Sequence, residues 1–103
     1  MARVIVRPEA RQDLRNILVY YIAQSGVDLA KRFRYAANMT FHELAESPLI
    51  GSPRKVRDPK FVGVRMWRIR GFESYLVFYF PDADGIAIER VIHASRDYQR
   101  ILR

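Results

Sequence analysis

The spacing of apolar residues along the chain changes period twice, from two to about 3.6 and back to two. The opening RVIVR sets Val4 and Val6 against Ile5 and is closed by Pro8, which predicts a short strand. Pro8 suits the first position of a helix and Glu9 lies near its positive end, although Arg7 is a poor N-cap. Ala10, Leu14, Ile17, Leu18, Tyr21 and Ile22 then recur at three- and four-residue intervals. That spacing puts one apolar stripe on an amphipathic helix of about four turns, ending at Ser25-Gly26. Ser25 with Asp28 has the spacing of a capping box for a second helix, whose apolar face is Ala30, Phe33, Ala37, Phe41, Leu44 and Ala45. A link of about two to four residues makes the two helices an antiparallel hairpin, and Ser47-Pro48 stops the second.

Residues 48–60 hold three prolines and a glycine and predict a loop across one end of the molecule. Three strands follow. Residues 62–70 are half-polar, whereas SYLVFYF at 74–80 is apolar on both faces, as the middle strand of a sheet should be. Residues 82–85 form a turn, and GIAIERVIH at 85–93 returns with Ile86, Ile88 and Ile92 on one face, completing an antiparallel meander. In the tail, Ser95 is an N-cap candidate, Asp97 an acid in the first turn, and Tyr98, Ile101 and Leu102 an apolar stripe of a short helix. The expected class is α+β: a small antiparallel sheet, made of an N-terminal strand and the meander, packed on one face by an N-terminal helical hairpin, with a short C-terminal helix. Residues 1–103 make one domain, since 103 residues do not supply two ordinary cores.

Composition narrows the chemistry. There is no cysteine, which removes disulfides, thiol nucleophiles and zinc–thiolate sites and fits a reducing compartment, so a cytoplasmic location is expected. MARVIVRPEARQDL lacks a signal-peptide core, and no segment approaches the ~20 apolar residues of a membrane helix, so no membrane partner is expected. The net charge is +7, and nearly all the excess lies between residues 54 and 70, where Arg54, Lys55, Arg57, Lys60, Arg65, Arg68 and Arg70 face Asp58 alone. Such a run exceeds what solubility requires and points to a polyanion or an acidic protein. Arginine outnumbers lysine fifteen to three, which suits bidentate contacts to carboxylate or phosphate. No metal-ligand spacing, phosphate loop or nucleophile motif is present, so neither metal nor cofactor is expected.

Several segments together resemble the ParE branch of the ParE/RelE toxin superfamily of bacterial type II toxin–antitoxin systems. They are RPEARQDL, ILVYYIAQSGVDLAKRF, LAESPLIGSPR, and above all GFESYLVFYF followed by DGIAIERVIHASRDYQRIL. The resemblance implies a toxin held inactive in a hetero-oligomer with a ParD-like antitoxin. It implies DNA gyrase as target, with DNA reached only through gyrase, or in the RelE branch ribosome-dependent mRNA cleavage.

The two branches require different residues. Cleavage of RNA by its own 2′-hydroxyl needs a base, an acid and cations on the phosphate, and His93 with Arg65, Arg68 and Arg96 are the candidates; Arg70, Arg90 and the Tyr98 phenol are further ingredients. His42, amid a helical apolar pattern, is a weaker one. RelE-type nucleases concentrate Lys and Arg on the central strands, whereas residues 74–80 carry none, which favours ParE and no catalytic residue at all. On that reading His93, Arg96 and Asp97 form a structural joint between the last strand and the last helix. Contacts to target or antitoxin then fall to Arg54, Lys55, Arg57, Arg65, Trp67, Arg68, Arg70 and Arg96. Trp67 is either core or an aromatic anchor in a groove. An amphipathic antitoxin helix is expected beside the hairpin of residues 9–46, with its acids on residues 54–70.

Overall fold

A computed structural model describes residues 2–103. The elements are β1 (Arg3–Val6), α1 (Pro8–Ser25), α2 (Val27–Glu46), β2 (Ser52–Pro53), a 3-10 turn (Pro59–Phe61), β3 (Arg65–Ile69), β4 (Phe72–Asp82), β5 (Gly85–His93) and α3 (Tyr98–Ile101). The strands lie in the order β1-β5-β4-β3-β2. The α+β class is as expected. The meander is antiparallel, but β1 runs parallel to β5, with Arg3 opposite Gly85 and Val6 opposite Ile88, so the sheet is mixed. The long return through hairpin and meander lets β1 enter in the same direction as β5, because parallel neighbours need such a crossover. β2 is a fifth strand inside the expected loop; Pro53 is tolerated there because the strand is at an edge and pairs only with Arg65 and Met66.

The helical link is tighter than its sequence suggests. Gly26 alone joins α1 to α2, and no side chain caps α2, so Ser25 and Asp28 form no capping box. Gly26 has φ +88°, where a side chain is strained, so this one residue both ends α1 and starts α2. The α1 stripe is correct for Ala10 and Ile17, which are buried, but Ile22 is exposed. The first meander strand starts at Arg65 instead of residue 62, because the 3-10 turn carries the chain to an exposed Val62 and a positive-φ Gly63.

The sheet has a core on each face, not one. Phe33, Phe41, Leu44, Val77, Tyr79 and Ile86 belong to the core under the hairpin. Val64, Met66, Leu76, Phe78, Ile92 and Leu102 form the second, flanked by Val56, Phe61, Tyr98 and Ile101. Ile92 thus parts from Ile86 and Ile88. The register shifts between Phe78 and Tyr79, leaving Glu89 without an opposite residue, and the extra residue returns Val91 to the hairpin side. Leu102, 1 % exposed, and the Tyr98 ring against Phe78 seat α3 on the second face; burying one such leucine stabilises by about 2 kcal/mol. Among the described residues no helix is long and apolar enough to cross a membrane.

Candidate functional site

β5 ends on His93, whose ring stands edge-on to Tyr75. Its Nδ1 accepts the Ser95 amide at 3.0 Å and lies 2.8 Å from Ser95 Oγ. Nδ1 therefore serves as an acceptor in this turn. Ser95, engaged with the imidazole, does not cap α3. That role falls to Asp97, which accepts the Gln99 amide at 3.1 Å. Arg96 donates its amide to the His93 carbonyl at 3.0 Å, while its exposed guanidinium pairs with no carboxylate among the described residues. His93, Ser95 and Asp97 thus hold the turn between β5 and α3 by local hydrogen bonds.

Cross-strand pairs share a face of a sheet, which fixes where the nuclease candidates point. His93 pairs with Tyr75 on the hairpin side. Arg68 pairs with Leu76, whose own partner is Ile92, on the opposite side. Arg65 pairs with Tyr79, four residues from Tyr75 along β4, a separation of about 13 Å at 3.3 Å per residue. The Arg65 guanidinium is moreover engaged with the Leu49 and Gly51 carbonyls at 3.1 and 2.6 Å. His93, Arg65 and Arg68 are not brought to one point.

The basic run divides into two regions. At the β3 edge, Arg54, Met66, Trp67, Arg68 and Arg70 line a groove of about 430 Å³. Trp67 is half-buried and packs partly on the hairpin-side core, so it is both core and groove wall. Arg68 donates to the Glu73 carbonyl at 2.8 Å, and Arg70 forms an ion pair with Glu43 of α2. Arg70 also borders a second, apolar hollow on α2 with Tyr35, Ala36, Met39 and His42. Tyr35 and Met39 are 68 % and 52 % exposed, too much for residues that serve the free core alone. His42 is exposed on the helix beside them. Lys55 and Arg57 lie elsewhere, held against α3: Gln99 donates to the Lys55 carbonyl at 2.6 Å and accepts the Arg57 amide at 3.2 Å.

Sequence reading missed three features that position these surfaces. Asp13 of α1 accepts both Arg90 Nε at 2.7 Å and Nη2 at 2.9 Å, and also the Val91 amide at 2.9 Å, clamping helix to sheet. The hydrogen bonds that Arg90 donates to Asp13, and the charge of that carboxylate, raise the Arg90 pKa above its ordinary value. Tyr79 accepts the Gly51 amide at 2.9 Å and donates to the Pro48 carbonyl at 2.7 Å. Burial raises its phenol pKa. The third is the Gln99 clamp. An arginine inside an apolar strand was a signal for the first; the other two had none. In the aromatic cluster beneath the hairpin, burial and the neighbouring Tyr21 push the Tyr75 phenol up to about 12.

Residues 4–98 match the family model described as "ParE toxin of type II toxin-antitoxin system, parDE". Among solved structures the chain is similar to one of the chromosomal ParDE TA system from P. aeruginosa, at 19% identity and TM-score 0.72, over 90% of this chain and 96% of that chain. It is similar to a chain of the YoeB-YefM complex from Staphylococcus aureus, at 14% identity and TM-score 0.56, over 90% and 97% of the two chains. The heterotetrameric YoeB-YefM toxin-antitoxin complex from the same organism gives 18% identity and TM-score 0.55, over 87% and 93%. A comparison with curated proteins gives no match. At these identities the structural likeness carries the fold alone.

Proposed function

The chain belongs to the ParE toxin family of type II toxin–antitoxin systems, and from that premise we propose that it poisons DNA gyrase by binding the enzyme and trapping it with cleaved DNA. It acts in the cytoplasm and is neutralised there by a ParD-like antitoxin. The placement of cations on the sheet supports this reading. β4, the central strand, carries no Lys or Arg. A nuclease needs base, acid and phosphate-binding cations within hydrogen-bond reach of one phosphodiester. Here His93 and Arg68 belong to opposite faces and Arg65 is engaged with the loop before β2, so of the three candidate arginines only Arg96 shares a hollow with His93. A protein that works by binding needs surfaces instead. The groove at the β3 edge and the apolar hollow on α2 are two, joined at Arg70.

The test is a gyrase assay with purified toxin, run beside an mRNA cleavage assay on translating ribosomes. Loss of supercoiling with accumulation of linear DNA is the expected result, with intact mRNA. Supercoiling untouched at large toxin excess, together with cut mRNA, replaces this reading with a RelE-type endoribonuclease.

A further inference from the structure

Two basic stretches that are far apart in the sequence meet in space. Residues 55–60 bring Lys55, Arg57 and Lys60, and residues 100–103 bring Arg100 and Arg103. Gln99 joins them through its hydrogen bonds to Lys55 and Arg57, while buried Leu102 fixes α3 to the sheet. Arg57, Arg100 and Arg103 then surround one shallow depression of about 400 Å³. All three are exposed, and none pairs with a carboxylate among the described residues. The acids nearby are already engaged. Asp58 accepts the Lys60 amide and lies 3.8 Å from its Nζ, and Asp97 caps α3.

The character of this face selects its ligand. Tyr20, Tyr35 and Met39 are on the helical hairpin, across the sheet from α3, whereas the exposed Leu49, Ile50 and Val62 are in the chain between α2 and β3, and none of these six lines the depression. Protein partners are held mainly by buried aromatic and apolar anchors, with exposed ion pairs adding little. A phosphate backbone needs no such anchor, and unpaired arginines grip it bidentately without reading sequence. We infer that the face formed by Lys55, Arg57, Arg100 and Arg103 contacts the phosphodiester backbone of duplex DNA directly. The choice of duplex DNA over RNA rests on the gyrase reading, in which the trapped complex holds cleaved DNA; the phosphate contact itself does not. The toxin then touches the enzyme's DNA as well as the enzyme, and the contact adds affinity only where DNA is present.

The test is fluorescence anisotropy of the purified full chain with a labelled duplex of arbitrary sequence, without gyrase. For about four phosphate contacts, affinity falls about a hundredfold between 50 and 200 mM salt. The triple substitution Arg57→Glu, Arg100→Glu, Arg103→Glu is expected to weaken binding at least about tenfold and flatten the salt slope. A control with the same change of net charge, Arg11→Glu, Arg15→Glu, Arg34→Glu on the exposed helical face, should stay within about threefold. Circular dichroism checks that both variants fold. No binding at the lower salt, or equal losses in variant and control, overturns the proposal. So does a triple variant that loses the antitoxin but keeps DNA. An RNA duplex of the same sequence bound more tightly than the DNA overturns the assignment to DNA. Failure of the wild-type chain to inhibit supercoiling sinks the gyrase reading on its own, whatever the anisotropy shows.

Discussion

Tyr79 is fully buried in β4, yet its hydroxyl serves the loop before β2, which makes it the residue on which the β3-edge surface depends. Gly51 must be glycine for the same reason. A Cβ there would meet the Tyr79 hydroxyl and stand 2.7 Å from its Cε1. Gly51→Ala is expected to cost about 1–3 kcal/mol by overpacking, and Tyr79→Phe about 1–3 kcal/mol by leaving the Gly51 amide unpaired. Because both act on one contact, the double mutant should cost less than the sum, which urea unfolding measures. Additive losses would mean that the two residues stabilise the loop independently. At His93 the prediction concerns role. His93→Ala removes the acceptor for the Ser95 amide and should lower stability by about 0.5–1.5 kcal/mol while leaving toxicity intact. Toxicity lost from a folded, antitoxin-binding His93→Ala protein would return the imidazole to chemistry. The Asp97 carboxylate at the start of α3 was legible because a helix N-terminus wants an acid. Ser95 was misassigned because its hydroxyl had a nearer partner that sequence does not show, the imidazole two residues back. The Asp13–Arg90 clamp spans 77 residues and exists only once α1 lies on β5.

At the level of elements, periodicity located all three helices and the three meander strands, because each buries a face against a core and burial is what periodicity records. What it could not show was set by backbone or register. Gly26 does alone what a capped loop usually does, β2 is two residues held by the edge of β3, and the parallel entry of β1 follows from topology. The bulge at Glu89 is the clearest case, since one extra residue sends Val91 and Ile92 to faces that strict alternation would exchange. That bulge leaves a carboxylate partly covered, and burial raises the Glu89 pKa, with Arg7 opposing and Glu9 adding to the shift. A carboxyl whose folded pKa lies above its unfolded one loses its stabilising contribution as pH rises through the folded value. Glu89→Gln should therefore leave stability nearly unchanged in acid, below the ordinary carboxylate range, and raise it relative to wild type as pH climbs toward neutral. Thermal melts across pH check the sign. A variant less stable than wild type at neutral pH would show that the Arg7–Glu89 ion pair outweighs the burial cost.

For the whole molecule, the cations at α3 and the exposed apolar strip of Tyr35 and Met39 lie on different sides of one sheet, so a partner on one need not block the other. The run of cations at residues 54–70 looked like one site in sequence, but folding divides it: Arg68 and Arg70 go to the groove beside Trp67, while Lys55 and Arg57 join α3. An antitoxin with an amphipathic segment can bury its apolar face on the exposed strip of Tyr35 and Met39 next to Arg70. Both side chains stand clear of the core, so Tyr35→Ala with Met39→Ala should leave the melting temperature of the free toxin almost unchanged. If they anchor the antitoxin, the pair should weaken binding by about 2–4 kcal/mol, roughly 30- to 1,000-fold. Salt should matter far less, under about tenfold between low and physiological ionic strength, because exposed ion pairs contribute ~1 kcal/mol or less each. Charge reversal at Arg57, Arg100 and Arg103 should leave this affinity alone, since that face lies beyond the sheet. Titration calorimetry of the wild type and these two variants decides the matter. Affinity that ignores Tyr35 and Met39 but collapses with salt would put the antitoxin on the basic face, where it would compete with DNA.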